Sequence, residues 1–184
     1  LAGLRHATAE KIAENFQPVK EAELPQGFPS YTPVGTVEVK HYPAHRKAVA
    51  EGGGEFWALF RHIKKNNVQM TAPVEMEYAD PRAPVKNERS MAFMYERPDQ
   101  GAAGKQGRVE VVDVPATTVV SIGCRGLRTD SALGAARDRL ISWLDAHPDY
   151  EISGSLRVMG YNSPFVPREK QFFEVQIPVT KKAE

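Results

Sequence analysis

Cysteine is nearly absent: Cys124 is the only one in 184 residues. That excludes an intramolecular disulfide and a thiolate zinc cluster. No apolar run approaches the length of a membrane span. Charge of one sign is missing too, with 24 Lys and Arg against 23 Asp and Glu, a net +1. Such balance excludes a general positive field for nucleic acid, leaving only local patches such as Arg61, Lys64 and Lys65. HExxH, GxSxG and a phosphate-binding glycine loop are all lacking, and "GGGEFW" has no nucleotide-loop context. No two histidines have zinc-site spacing. A chain of this size can nonetheless bury roughly 70% of its unfolded surface without metal or crosslink.

What is present starts weakly. Residues 1–33 read as an N-terminal arm, with a short helix over Ala7–Phe16 and then Pro18, Pro25, Pro29 and Pro33 as breakers. The arm is expected to lie on the domain or be mobile. The first residue is Leu1 and not Met, so an upstream segment is expected to have been removed. The protein is expected to be soluble, and cytoplasmic and exported locations both stay open.

From Val34 to the C-terminus a single domain is expected. "TVEVKHYP" alternates, placing Val37, Val39 and His41 on one strand face and Glu38, Lys40 and Tyr42 on the other. Pro43-Ala44 turns the chain into a second strand, "HRKAVA", and "GGG" at 52–54 breaks it. A helix follows, with Phe56, Leu59, Phe60 and Ile63 as its apolar stripe. Arg61 lies nearly opposite, while Trp57, His62 and Lys64 flank the stripe. Two strands, 73–78 and 90–96, complete the unit, and 97–108 reads as a solvated linker. The pattern then restarts 72 residues on: Val37-Glu38-Val39 becomes Val109-Glu110-Val111, and Pro43-Ala44 becomes Pro115-Ala116. A second helix is capped by Thr129 or Asp130 and stopped by Pro148, with Leu133, Ala136, Leu140, Leu144 and His147 as its stripe. Strands at 155–161 and 172–179 close the second unit. The half-repeats run from about 34–96 and 109–179. Each helix has one apolar face and must cover a sheet. The fold class is therefore α+β: a duplicated ββαββ unit forming a distorted eight-stranded, mostly antiparallel barrel flanked by two helices.

"KHYP", "FWALFRHI", "MTAPVEMEY" and "GYNSPFVP" followed by "FFEVQIPV" resemble the SOUL haem-binding protein family, from about Thr36 to Val179. The family is related to GyrI-like ligand-binding domains, and its barrel agrees with the architecture above. The resemblance implies a non-covalent ligand, haem or a related porphyrin, carried, buffered or sensed without catalysis. Covalent c-type attachment is excluded because CxxCH is absent. Carried onto this chain, an apolar groove beside the first helix would use Phe56, Leu59, Phe60 and Ile63. Arg61 would meet the propionates, and His41 is the position proposed in some members for the axial iron ligand. Where some members carry a lysine after the "SPF" motif, this chain has Val166, with Arg168 and Lys170 nearby.

Two other readings stand beside this one. In GyrI-like relatives a glutamate in a "FEVQIP"-type strand can lie in a central pocket, where it binds cationic ligands or acts as a general base; that would make Glu174 the working group of a small-molecule hydrolase or binding protein. Alternatively the domain is a protein-interaction module whose haem association is incidental. Glu75 and Glu77 are expected to face water or to pair with Arg or Lys, Cys124 to be idle or activated by Arg125, and Tyr161, Asn162 and Phe165 to pack their loop against the barrel.

Overall fold

The structure is a computed structural model and describes residues 16–183; the helix expected over Ala7–Phe16 lies almost wholly outside them. Ten strands form one curled antiparallel sheet that stays open. They are β1 (Val37–Tyr42), β2 (His45–Glu51), β3 (Val74–Glu77), β4 (Ser90–Met94), β5 (Gly104–Gln106), β6 (Val109–Val114), β7 (Thr117–Arg125), β8 (Tyr150–Ile152), β9 (Arg157–Gly160) and β10 (Phe172–Lys181). Helices α1 (Glu55–Lys65) and α2 (Asp130–Asp145) lie between β2 and β3 and between β7 and β8. The eight expected strands are present. β5 and β8, three residues each, are additional short edges, and β5 falls inside the expected linker. Among the described residues no helix is long and apolar enough to cross a membrane.

The duplication is an exchange of strands. The sheet runs β1-β7-β10-β9-β3-β4-β2-β6-β5. Thus β1 of the first unit pairs with β7 of the second, and β6 of the second pairs with β2 of the first. The offset that carries Val37 onto Val109 carries Ala50 onto Ile122. Both resulting pairs, Val37–Ile122 and Val109–Ala50, are in register. The two Pro-Ala turns are where the chain crosses from one half of the sheet to the other. Proline suits them because it sets a turn and donates nothing to a ladder.

Each helix covers one half from outside. Leu59 and Ile63 of α1 sink onto Ala48, Ala50, Phe93 and Val111. Leu133, Ala136, Leu140 and Leu144 of α2 sink onto Val120, Ile122, Val175 and Ile177. The Thr129 side chain accepts from the Ala132 N–H at 3.1 Å and caps α2. A third, smaller apolar cluster joins Phe28 and Leu24 of the arm to Tyr42, Met94, Val119 and Met159 on the concave face. The arm from residue 16 is thus packed on the domain. It is held by a Val34–Gly123 bridge, by Gln26 N–H to Glu96 O at 2.8 Å, and by Ala72 N–H to Glu23 O at 3.0 Å.

Two histidines are built into this core. His62 lies beneath α1 with Nε2 2.8 Å from the Tyr95 hydroxyl, and His45 opens β2 with Nδ1 2.9 Å from Pro43 O. His62 is buried, not the solvated helix histidine its sequence position suggests. Burial pushes both imidazoles below their ordinary pKa, and Lys65 adds to the effect at His62.

Gly123 tests the seating of the arm. A Cβ there would lie 2.2 Å from Thr32 O and 2.5 Å from Pro33 O, whereas one at Gly134, inside α2, would meet nothing. Gly123→Ala is expected to lower stability by about 1–3 kcal/mol and to speed proteolysis within 16–36, while Gly134→Ala raises stability by about 0.5–1 kcal/mol. Equal melting curves for the two variants would contradict this seating. The histidines give a pH dependence. The unfolded chain takes up their protons near pH 6.5 and the folded chain only at lower pH, so their stabilising contribution is present above about 6.5 and lost as pH falls. Thermal midpoints should be level from about pH 8 to 7 and then drop towards pH 5; a flat profile would rule the effect out.

Candidate functional site

Three regions carry functional side chains: the concave interior, a polar cleft at its mouth and the outer face of α1. In the interior, Glu174 of β10 is 0% exposed. Lys40 Nζ lies 2.9 Å from its Oε1 and 3.1 Å from its Oε2. The Thr32 N–H of the arm also donates to Oε1, while Gln176 Nε2 at 2.8 Å and the Tyr161 hydroxyl at 3.3 Å donate to Oε2. Both oxygens are occupied by donors of the chain itself. The Tyr161 hydroxyl is pushed well above its usual pKa by burial and by Glu174, which keeps it a donor. Gln176 passes the network on: its Nε2 donates to the Tyr42 hydroxyl at 2.8 Å, and its Oε1 accepts from Arg157 Nε at 2.8 Å.

Arg157 leads to Glu75, which is buried and takes the expected pairing with Arg and Lys rather than facing water. Arg157 Nη1 lies 3.2 Å from Glu75 Oε2, and Lys47 Nζ reaches Oε1. Burial alone would raise the Glu75 carboxyl, but Lys47 and Arg157 together hold it below its usual value. Beyond this floor opens a cleft of about 560 Å³, lined also by His41, Thr117, Thr118, Ser155 and Lys181. His41 is exposed, with Nδ1 3.0 Å from Thr118 Oγ1.

On α1 the apolar stripe divides. Leu59 and Ile63 are 0% and 2% exposed and belong to the core, while Phe56 is 39% and Trp57 61% exposed. Phe56 and Phe60 stack with ring centres 6.1 Å apart and planes 12° from parallel, and Trp57 meets Phe60 edge-on at 6.0 Å. Lys64 Nζ sits 5.3 Å from the Phe60 ring centre. Arg61 is exposed and lines, with Lys65 and Arg108, a groove of about 590 Å³ between α1 and the β5–β6 hairpin. Phe60 and Lys64 line another, of about 430 Å³, on the other flank. Neither groove shares a residue with the cleft that holds His41. Of the expected residues, Phe56 and Phe60 therefore stack on the outer side of α1, Arg61 lines the groove on one flank of that helix and Phe60 the groove on the other, His41 lies in a separate cleft, and Leu59 and Ile63 support the helix from beneath. Trp57, Lys65 and Arg108 were not singled out as ligand-contacting. Trp57 stands 100° around the helix from Phe56, off the apolar stripe, and that is the signal that could have marked it.

The remaining motif residues do structural work. Asn162 Nδ2 donates to Val19 O at 2.8 Å, and Ser163 donates through N–H and hydroxyl to the Glu21 carboxylate, so "GYNSPF" clamps the arm. Phe165 is 95% exposed and does not pack its loop as expected. Thr71 of "MTAPV" donates to Met94 O at 2.7 Å. Cys124 is not activated by Arg125; burial and the nearby Glu174 push its thiol up to about 12, and Arg125 turns to Glu169 O.

Comparison with known proteins places this architecture. Among solved structures the C-terminal domain of EcmrR has a TM-score of 0.60 at 19% identity, covering 80% of this chain and 98% of that domain. In the cryo-EM structure of the EcmrR–DNA complex the chain spans only 58% of the EcmrR polypeptide. A hydrolase from Listeria innocua has a TM-score of 0.57 at 14% identity, covering 82% of this chain and 94% of the other. These neighbours share the fold. No curated protein matches the chain. The family model described as "SOUL heme-binding protein" matches residues 26–178, which include both helices and the "MTAPV" and "GYNSPF" segments. The chain belongs to the SOUL heme-binding protein family.

Proposed function

We propose that this protein binds a tetrapyrrole non-covalently on the outer face of α1, through ring contacts and carboxylate pairing and without a histidine on the metal. The observation that carries this reading is the aromatic surface of Phe56, Trp57 and Phe60 beside Arg61 and Lys64. A flat macrocycle gains most from large exposed rings already held in place, because little side-chain freedom is lost on binding. Its propionates want cations at the edge of that surface, and arginine can meet a carboxylate with two parallel hydrogen bonds. Leu59 and Ile63 hold the helix rigid beneath the rings. Membership of the family supports haem as the ligand class. When bound, haem would supply its own iron chemistry, and the chain's residues would hold and shield it.

Axial ligation by His62 is disfavoured, since Nε2 is engaged by Tyr95 and Nδ1 lies 3.3 Å from Asn66 Nδ2. His41, in the separate polar cleft, is proposed to be independent of the macrocycle. Hydrolysis through Glu174 is disfavoured by its burial among five donor contacts. The exposed aromatic surface would also suit a protein partner, and titration separates the two uses.

Titration with hemin and, in parallel, with iron-free protoporphyrin IX tests the reading. One-to-one saturable binding is expected, with the two ligands within about threefold of each other because the iron has no protein ligand. Trp57→Ala with Phe60→Ala should weaken both about tenfold or more, and Arg61→Gln by a smaller factor. His41→Ala should alter neither the affinity nor the Soret spectrum. Non-saturating spectra would remove the tetrapyrrole and leave the interaction reading. A spectrum changed by His41→Ala would move the macrocycle to the other cleft.

A further inference from the structure

The cleft at the mouth of the curled sheet differs in chemistry from the outer face of α1. Its floor is an ionic cluster with unequal charge. Lys47 and Arg157 share the single carboxylate of Glu75. Deeper in, Lys40 and Glu174 cancel. Three buried or nearly buried cations therefore face two buried carboxylates. The Arg157 side chain is 8% exposed, and its Nη2 is buried with no hydrogen-bond partner. An unpaired guanidinium nitrogen in a protein interior is costly, and so is uncompensated buried charge. At the rim, the charges of Glu77 and Lys181 offset one another, and the Ser155 hydroxyl adds a neutral donor, while that of Thr117 is spent on Pro115 O. The space of about 560 Å³ is enough for a small metabolite and is lined by too many polar groups to suit a macrocycle.

The geometry points to a binding site for a small organic oxyanion, a carboxylate or phosphate monoester, whose negative group lies over Lys47 and Arg157 and completes the charge of the floor. The site uses no residue of α1, so it is independent of the tetrapyrrole surface. Arginine and lysine together suit it, because the planar guanidinium orients the anion and the ammonium adds a movable charge.

Amide-resolved NMR titration of the whole chain with inorganic phosphate and, separately, succinate tests this, with sodium chloride as the ionic-strength control. Saturable shifts confined to Thr117, Thr118, Gly154, Ser155 and their neighbours are expected, with a Kd of roughly a millimolar or below for at least one anion. The anion that binds identifies the class. Lys181→Glu, at the exposed rim, should weaken binding at least about threefold, and folded Arg157→Gln should abolish it. Should Arg157→Gln unfold, because it also bridges Glu75 and Gln176, the Lys181→Glu result decides alone. Trp57→Ala should leave anion binding unchanged. Absence of saturation with both anions, shifts scattered beyond the cleft or reproduced by chloride, or wild-type affinity in Lys181→Glu would overturn the proposal.

Discussion

The carboxylate of Glu174 is the point at which separate parts of the chain meet. Lys40 comes from β1, Thr32 from the arm, Tyr161 from the loop after β9, and Gln176 from its own strand. A buried carboxylate costs several kcal/mol unless it is paired and its lone pairs are filled. The arm must therefore be seated, β1 must lie against β7, and the last loop must close before the interior is satisfied. Hydrophobic patterning alone would tolerate a looser curl of the sheet. This cluster specifies one arrangement, because a shift of any contributor strands a charge.

The sequence pattern shows the elements clearly and the interior poorly, and β1 illustrates why. Its alternation is right, yet the face bearing Lys40 and Tyr42 is the more deeply buried, while His41 is exposed. Period-two reasoning assumes that the polar face meets water. In a curled sheet the concave face meets other strands, and its charges are balanced by partners such as Glu174, 134 residues away. No local window contains both members of that pair. Nor does any local window hold Glu75 together with its Lys and Arg partners, which lie on β2 and β9.

The site on α1 was half legible. A stripe of Phe56, Leu59, Phe60 and Ile63 marks a helix that must bury one side, and it does so through Leu59 and Ile63. What periodicity leaves open is where core ends and free surface begins. That boundary runs through the stripe itself, between the buried Leu59 and Ile63 and the more exposed Phe56 and Phe60. Phe165 shows the reverse failure: its motif is recognisable, but the architectural residues are its neighbours Asn162 and Ser163.

The exchange of first strands between the two units has a consequence for the order of assembly. β1 is among the earliest parts of the domain to leave a ribosome, yet β7, its only strand partner among the described residues, begins at Thr117. Neither half can therefore finish its sheet while the other is still being made. Until then β1 is an unpaired edge, in a chain whose contacts are largely long-range. A sheet closed this way is committed all at once, late, and as a single cooperative event.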